Sequence, residues 1–172
     1  MRILGLAIGL ALAVAAPAGS ATLPSAGKLS FDVVRKGKDI GDHSYQFSGS
    51  EGAFTVQVIT DIAVKVPLIR TTAYSFTHSS VETWKGGQLQ QLTSVTDDDG
   101  EPHDLKTASK GAMPASLWNE DTVRSGKLMN TIDGNIMAIR VADLGVDSVP
   151  VKGGNVQAHH YHISGGIERD LW

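Results

Sequence analysis

The chain has 172 residues, of which 41% are hydrophobic and 19% are charged, and its formal net charge at pH 7 is −3. This length is enough for one domain with a sizeable core, and the mildly acidic balance argues against nucleic acid and anionic membranes as partners. Cysteine is absent, which excludes thiol catalysis, thiolate metal sites, disulfide bonds and a lipid-modified N-terminal cysteine.

The N-terminal segment predicts a secretory signal peptide. Arg2 gives a positively charged start, residues 3–16 are apolar or small, and small residues follow up to a cleavage site after Ala21. The apolar run is shorter than the roughly 20 residues that a transmembrane helix needs. We therefore expect residues 1–21 to be removed on export.

The remainder, residues 22–172, predicts a single β domain. Without Arg2 its formal net charge would be −4, and no further run is long and apolar enough to span a membrane. Export without disulfide bonds suits a bacterial periplasm, so we expect a periplasmic location.

Alternation with period 2 runs through almost the whole chain and predicts antiparallel strands. It is clearest over residues 54–66, and the turn at Asp99 and Gly100 predicts a hairpin. The polar face of the clearest strand carries Thr55, Gln57, Asp61 and Lys65. The other face, which we expect to be buried, carries Phe54, Val56, Val58, Thr60, Ile62 and Val64.

The predicted fold class is all-β: a strongly curved antiparallel meander of about nine or ten strands, a half-barrel or open barrel. One short helix is predicted over residues 114–119, because Pro114 suits a first helical position and Asn119 a helix end. The last predicted strand stops at Trp172 without a partner. We expect that the natural chain continues or that an edge strand stays open.

The aromatic and apolar residues of the predicted concave face suggest a cavity for one apolar ligand. The competing interpretation is ordinary core packing, which we favour at about two to one for any single residue. The helix would cover or flank the cavity. The candidate ligand-binding residues are Tyr74, Phe76, Val58, Leu117 and Trp118.

The densest titratable cluster is the segment 159–162, in which His160 and His162 share one face of a predicted strand. Two histidines at this spacing can bind a transition metal, but a functional site needs a third ligand. The sequence does not identify that third ligand. The alternative to a metal site is an ordinary solvated strand face. The candidates for the third ligand are His43, His78 and His103.

Motifs for other chemistries are missing from the sequence. There is no G-x-S-x-G nucleophile turn, phosphate-binding loop or dinucleotide fingerprint. The acidic run at residues 97–101 lacks the spaced ligands of a calcium loop and fits a hairpin turn better. The sequence therefore predicts no catalytic residue and no cofactor.

Three segments resemble a family of uncharacterised exported proteins of Gram-negative bacteria, known only as a domain of unknown function. They are the run L-T-S-V-T-D-D-D-G at 92–100, the run M-P-A-S-L-W-N at 113–119, and R-D-L-W at 169–172. The resemblance covers residues 29–172 and implies no catalytic residues. The family also resembles, more distantly, the curved sheets of periplasmic lipoprotein carriers.

Three functions remain open at this stage. The first is non-enzymatic binding of an apolar small molecule, lipid or envelope component in the concave face. The second is a metal-dependent enzyme or metal-binding protein built on His160 and His162. The third is a structural or partner-binding module that uses an exposed strand edge. The sequence does not fix the oligomeric state.

Overall fold

The computed structural model describes Leu23 and residues 27–65, 72–151 and 153–172, most of which lie in strands. The predicted signal peptide, residues 1–21, lies outside the described residues. A six-stranded antiparallel meander forms the first sheet, and each strand pairs with the next one in the chain. Its strands are β1 (Lys28–Arg35), β2 (Lys38–Ser50), β3 (Ala53–Lys65), β4 (Thr72–Lys85), β5 (Gln88–Asp98) and β6 (Glu101–Ala108).

The second sheet has five strands in the spatial order β11-β10-β9-β8-β7. Its pairs are antiparallel except for the short parallel pair β7–β8. The strands are β7 (Met113–Pro114), β8 (Lys127–Met129), β9 (Ile136–Val151), β10 (Gly154–Gly165) and β11 (Arg169–Leu171).

The all-β antiparallel meander predicted from the sequence is confirmed. In the described chain β1 and β6 each pair on one side only, so the first sheet is open and not a closed barrel. The described residues form eleven strands, against the expected nine or ten. Three of them, β7, β8 and β11, have only two or three residues, which is too short for an alternation pattern to reveal.

The period-2 pattern of β3 predicts its faces correctly over its first half. Phe54, Val56 and Val58 are buried, whereas Gln57 and Ile59 are exposed. The three buried residues form the main hydrophobic core together with Tyr45, Phe47, Trp84, Leu89, Leu92, Ala112 and Met129.

The expectation that Ile62 and Val64 are buried is wrong, because both are only partly buried. Neither hydrophobic core cluster of the described chain includes them. The alternation of β3 therefore continues beyond the part of the sheet that the rest of the protein covers.

The predicted helix over residues 114–119 is also wrong in position. Pro114 lies in β7, and Leu117 has a positive φ of 64° that interrupts helical geometry. The helix that forms is a 3-10 helix at Glu120–Arg124. Asn119 begins this helix instead of ending one, since its side-chain oxygen accepts a hydrogen bond from Asp121 N at 2.9 Å.

The outer half of the β9–β10 hairpin extends beyond its neighbours as a two-stranded ribbon. β11 pairs only with residues 161–163, so in the described chain residues 142–151 of β9 and 154–158 of β10 pair solely with each other. Most side chains of this ribbon are exposed. Its exposed large apolar side chains are Leu144, Val146, Val151 and Val156.

Gly49 provides a test of the close contact between β2 and β3. Its φ is 118°, and a Cβ atom there would lie 2.6 Å from the carbonyl oxygen of Ala53. Gly49→Ala is therefore expected to lower the free energy of unfolding by about 2–3 kcal/mol, measured by urea denaturation.

Gly52→Ala is the matched control for this clash. Gly52 also has a positive φ, of 91°, but a Cβ atom there meets no atom within 4 Å. It should show only the backbone penalty of about 1 kcal/mol. Equal losses in the two variants would contradict the argument from the close contact.

Candidate functional site

Residues 109–119, which lead from the first sheet to the 3-10 helix, cover the inner face of the first sheet, and we call them the covering segment. Trp118 in this segment packs edge-on against three rings, with centroid distances of 5.3 Å to Phe47, 5.9 Å to Phe54 and 5.4 Å to Trp84. We call these four residues the aromatic cluster. Edge-to-face packing of this kind fixes the position of the segment on the sheet.

Glu82 is a fully buried carboxyl group beneath the aromatic cluster. Its Oε2 accepts hydrogen bonds from the indole nitrogens of Trp84 and Trp118, each at 2.9 Å. Its Oε1 is buried without a hydrogen-bond partner, and so is Ser116 Oγ. One carboxyl oxygen thus joins a strand of the sheet to the covering segment.

Burial raises the pKa of Glu82, because a charge is costly in a medium of low polarity. Ser116, Trp118 and Trp84 oppose this shift, although Ser116 Oγ makes no hydrogen bond of ordinary geometry. Burial also raises the pKa of Tyr45, and the nearby Glu82 adds to the effect. Tyr45 OH donates to the carbonyl oxygen of Ser116 at 2.6 Å, which gives the covering segment a second attachment.

A row of alternating histidines and threonines crosses the inner face of the first sheet. The strand registers place these residues opposite one another on successive strands. We call this set the histidine–threonine row. Its members, from β2 to β6, are His43, Thr60, His78, Thr96 and His103.

Two hydrogen bonds orient the imidazoles of this row. His43 Nδ1 lies 2.7 Å from Thr60 Oγ1, and His78 Nδ1 lies 2.7 Å from Thr96 Oγ1. Burial lowers the pKa of both histidines, and for His78 the nearby His43 adds to the effect. Both rings therefore favour the neutral form, with Nε2 left over for another contact.

A pocket of about 240 Å³ lies between the two sheets at this row. We call it the interlayer pocket. Its walls combine apolar side chains with hydroxyl, imidazole and guanidinium groups, so it can enclose an apolar body and orient polar atoms. It is lined by His43, Tyr45, Val58, Thr60, Phe76, His78, Ala115, Ser116, Leu117, Thr131, Ile132 and Arg169.

A family model described as a domain of unknown function, DUF6134, matches residues 31–172. The chain belongs to this family. Every residue that lines the interlayer pocket falls within the matched region. Neither the curated proteins nor the solved structures that were searched contain a match to the chain.

The five ligand-binding candidates of this DUF6134 domain fall in three places. Val58, Phe76 and Leu117 line the interlayer pocket. Trp118 belongs to the aromatic cluster and is not among the lining residues. Tyr74 is also outside the pocket, and its hydroxyl donates to Asp98 Oδ1 at 2.8 Å.

The sequence predicts His43 and His78 only as possible metal ligands, whereas both line the pocket. It assigns no ligand contact to Ser116 or Arg169. Glu82 was also missed, although a charged residue at an inward position of a regularly alternating strand is a signal that could have identified it.

His160 and His162 lie in the second sheet, on its outer face. Asp170 Oδ1 lies 3.0 Å from His160 Nε2 and 3.0 Å from His162 Nδ1. Asp147 Oδ2 lies 2.9 Å from His160 Nδ1, and Glu168 Oε1 lies 3.1 Å from His162 Nε2. Carboxylates therefore occupy the hydrogen-bonding positions around both rings.

The proposed third ligands do not approach this cluster. His43, His78 and His103 lie on strands β2, β4 and β6 of the other sheet. Among the residues that the structure describes, no group of three histidines, cysteines or acidic residues is placed to hold a metal ion.

No helix in the described chain has the length and apolarity to cross a membrane.

Replacing both His160 and His162 with glutamine should not change how the melting temperature responds to added zinc. The carboxylate hydrogen bonds raise the pKa of His162, so its protonated form stabilises the fold at low pH and this support is lost as pH rises through that pKa. On the alkaline side we expect equal melting temperatures for parent and variant, with or without zinc. A zinc-dependent rise in the parent that the double variant lacks would contradict this.

Proposed function

We propose that the protein is an exported, periplasmic, non-enzymatic binding protein for a small apolar ligand or an envelope component, which it holds in the interlayer pocket. The observation that carries this proposal is the composition of the pocket walls. Val58, Phe76, Leu117 and Ile132 offer apolar surface, and a few polar groups converge on the same space. Such a combination is typical of small-molecule sites.

The size of the pocket limits the ligand. Its volume of about 240 Å³ is below the roughly 300–1,000 Å³ of ordinary drug-sized sites. A short apolar molecule fits, or the end of a longer chain whose remainder lies outside. The aromatic cluster and the Tyr45–Ser116 hydrogen bond hold the covering segment in place, so the pocket is suited to a compact ligand without large rearrangement.

The first experiment is an NMR titration of the protein with 1-hexanol, a neutral apolar probe. Saturable shifts confined to the pocket-lining residues are expected. Ala115→Leu fills the pocket and should abolish them, whereas Ala53→Leu, at an exposed position of β3, should leave them unchanged. Parent protein that shows no saturable binding would contradict the proposal.

The second experiment addresses native ligand and location together. The protein is purified from the compartment to which it is exported and analysed by native mass spectrometry for a bound apolar molecule. N-terminal sequencing of the same material should give a chain that begins at Thr22. A mature protein that retains Met1 would contradict export.

A partner-binding module is the second candidate function, and the exposed ribbon of residues 142–158 favours it. A two-stranded ribbon gains little stability by itself, yet this one exposes Leu144, Val146, Val151 and Val156. A photo-crosslinking residue at Leu144 should then give one product of fixed mass in cells, and the same residue at the exposed Gln57 should give none.

A further inference from the structure

Resting on the proposed function, we propose that the interlayer pocket recognises a monocarboxylate with a short apolar body, and that Arg169 holds the carboxylate. The inference combines a cation on one wall of the pocket, polar atoms on the opposite wall and apolar surface between them. It names the chemical class of a ligand that the pocket would bind.

The alternation of β11 places the Arg169 side chain on the inner face of the second sheet. Arg169 pairs with Ile163, which is fully buried in the core of that sheet. The next residue, Asp170, pairs with His162 on the outer face. Arg169 therefore points toward the first sheet, and it lines the pocket.

Arg169 has no ion-pair partner in the described chain. Its only side-chain hydrogen bond there runs from Nη1 to the carbonyl oxygen of Glu168, at 2.7 Å. The neighbouring carboxylates of Glu168 and Asp170 are engaged with His162 on the outer face. The guanidinium thus keeps donors for a carboxylate, which it can bind through two parallel hydrogen bonds.

The first sheet supplies polar atoms on the opposite wall. The side chains of Thr60 and Thr96 hold Nδ1 of His43 and of His78, so Nε2 of each ring is left to contact a ligand. A ligand carboxylate would give these ring nitrogens a hydrogen-bond partner.

The charge of the lining favours a single negative charge on the ligand. Arg169 is the only permanently charged residue among those that line the pocket, so a carboxylate would be neutralised and a phosphate dianion would keep an excess charge. The apolar body would lie against Val58, Phe76 and Leu117, within the volume of about 240 Å³.

The test compares three probes with the same six-carbon chain: hexanoate, hexyl phosphate and 1-hexanol. Affinities are measured by NMR titration of the full chain, for the parent and for Arg169→Gln. Arg140→Gln is the matched control, because Arg140 pairs with Ser164 on the outer face of the same sheet.

The parent is expected to bind hexanoate most tightly of the three probes. Loss of the Arg169 guanidinium should weaken hexanoate binding by about tenfold. This effect lies near the lower end of the range for hydrogen bonds to charged groups, because Arg169 is solvent-exposed. Hexanol binding should not change, and Arg140→Gln should bind hexanoate like the parent. High salt should weaken hexanoate binding and spare hexanol.

The outcomes separate this inference from the function on which it rests. Equal affinities of the parent for hexanol and hexanoate, with no effect of Arg169→Gln, would overturn the carboxylate assignment and leave the apolar pocket standing. Tighter binding of hexyl phosphate would overturn the choice of a monoanion. Absence of binding for all three probes would overturn both proposals.

Discussion

Glu82→Ala is expected to lower the free energy of unfolding by about 3–5 kcal/mol, because it leaves a cavity and two indole N–H groups, one buried and one partly buried, without an acceptor. Trp84 and Trp118 both donate to Oε2 of this one carboxyl group. Urea denaturation followed by tryptophan fluorescence measures the loss. A change below about 1 kcal/mol would show that the carboxyl group does not hold the covering segment.

Glu82→Gln separates the hydrogen bonds from the titration, because glutamine keeps an acceptor oxygen but cannot ionise. Burial raises the pKa of Glu82 in the folded protein, so the folded state binds more protons than the unfolded state between the two pKa values. The contribution of Glu82 to the free energy of unfolding is then fully present below the unfolded pKa of about 4.3. Its stability relative to Glu82→Gln should fall as pH rises through the raised pKa.

Glu101→Gln is the control for this pH series, because Glu101 is exposed at the start of β6 in the same sheet. Its stability difference from the parent should show no comparable fall over the same range. A Glu82→Gln variant whose stability follows that of the parent at every pH would contradict the raised pKa of Glu82.

Val56→Asp is expected to cost on the order of 4 kcal/mol or more, since it removes a buried apolar side chain and places a charge where nothing pairs with it. Val56 is fully buried in the main core, between Phe54 and Val58 on the same face of β3. The measurement is urea denaturation, with circular dichroism to detect unfolded protein.

Gln57→Asp is the matched control for Val56→Asp, because it puts the same charge one residue further along β3 on the exposed face. It should change the free energy of unfolding by less than about 0.5 kcal/mol. A folded Val56→Asp variant as stable as Gln57→Asp would mean that the two faces of β3 are assigned the wrong way round.

The features that the sequence predicts best are those determined by neighbouring residues. Alternation identifies the buried face at Val56 and Val58, and Asp99 and Gly100 form the predicted hairpin turn between β5 and β6, with φ values of 54° and 92°. Both depend on local backbone geometry. No helix forms over residues 114–119, because Pro114 is equally compatible with the short strand β7 in which it lies.

The candidate site depends on contacts between residues that are distant in the chain, which a single sequence does not contain. His43 and His78 belong to one row only because two strand registers, β2–β3 and β3–β4, align them through Thr60. Arg169 reaches the same pocket from the other sheet. Alternation states which face a side chain occupies, but not which strand lies opposite.

The order of the strands has a consequence for how the chain folds. Each pairing in the first sheet joins consecutive strands, and the second sheet occupies the following continuous stretch. Most native contacts can therefore form hairpin by hairpin, with short loops to close, which favours rapid folding for a β protein. The slow event should be the meeting of the two layers, when Glu82 loses its water and Trp118 closes over it.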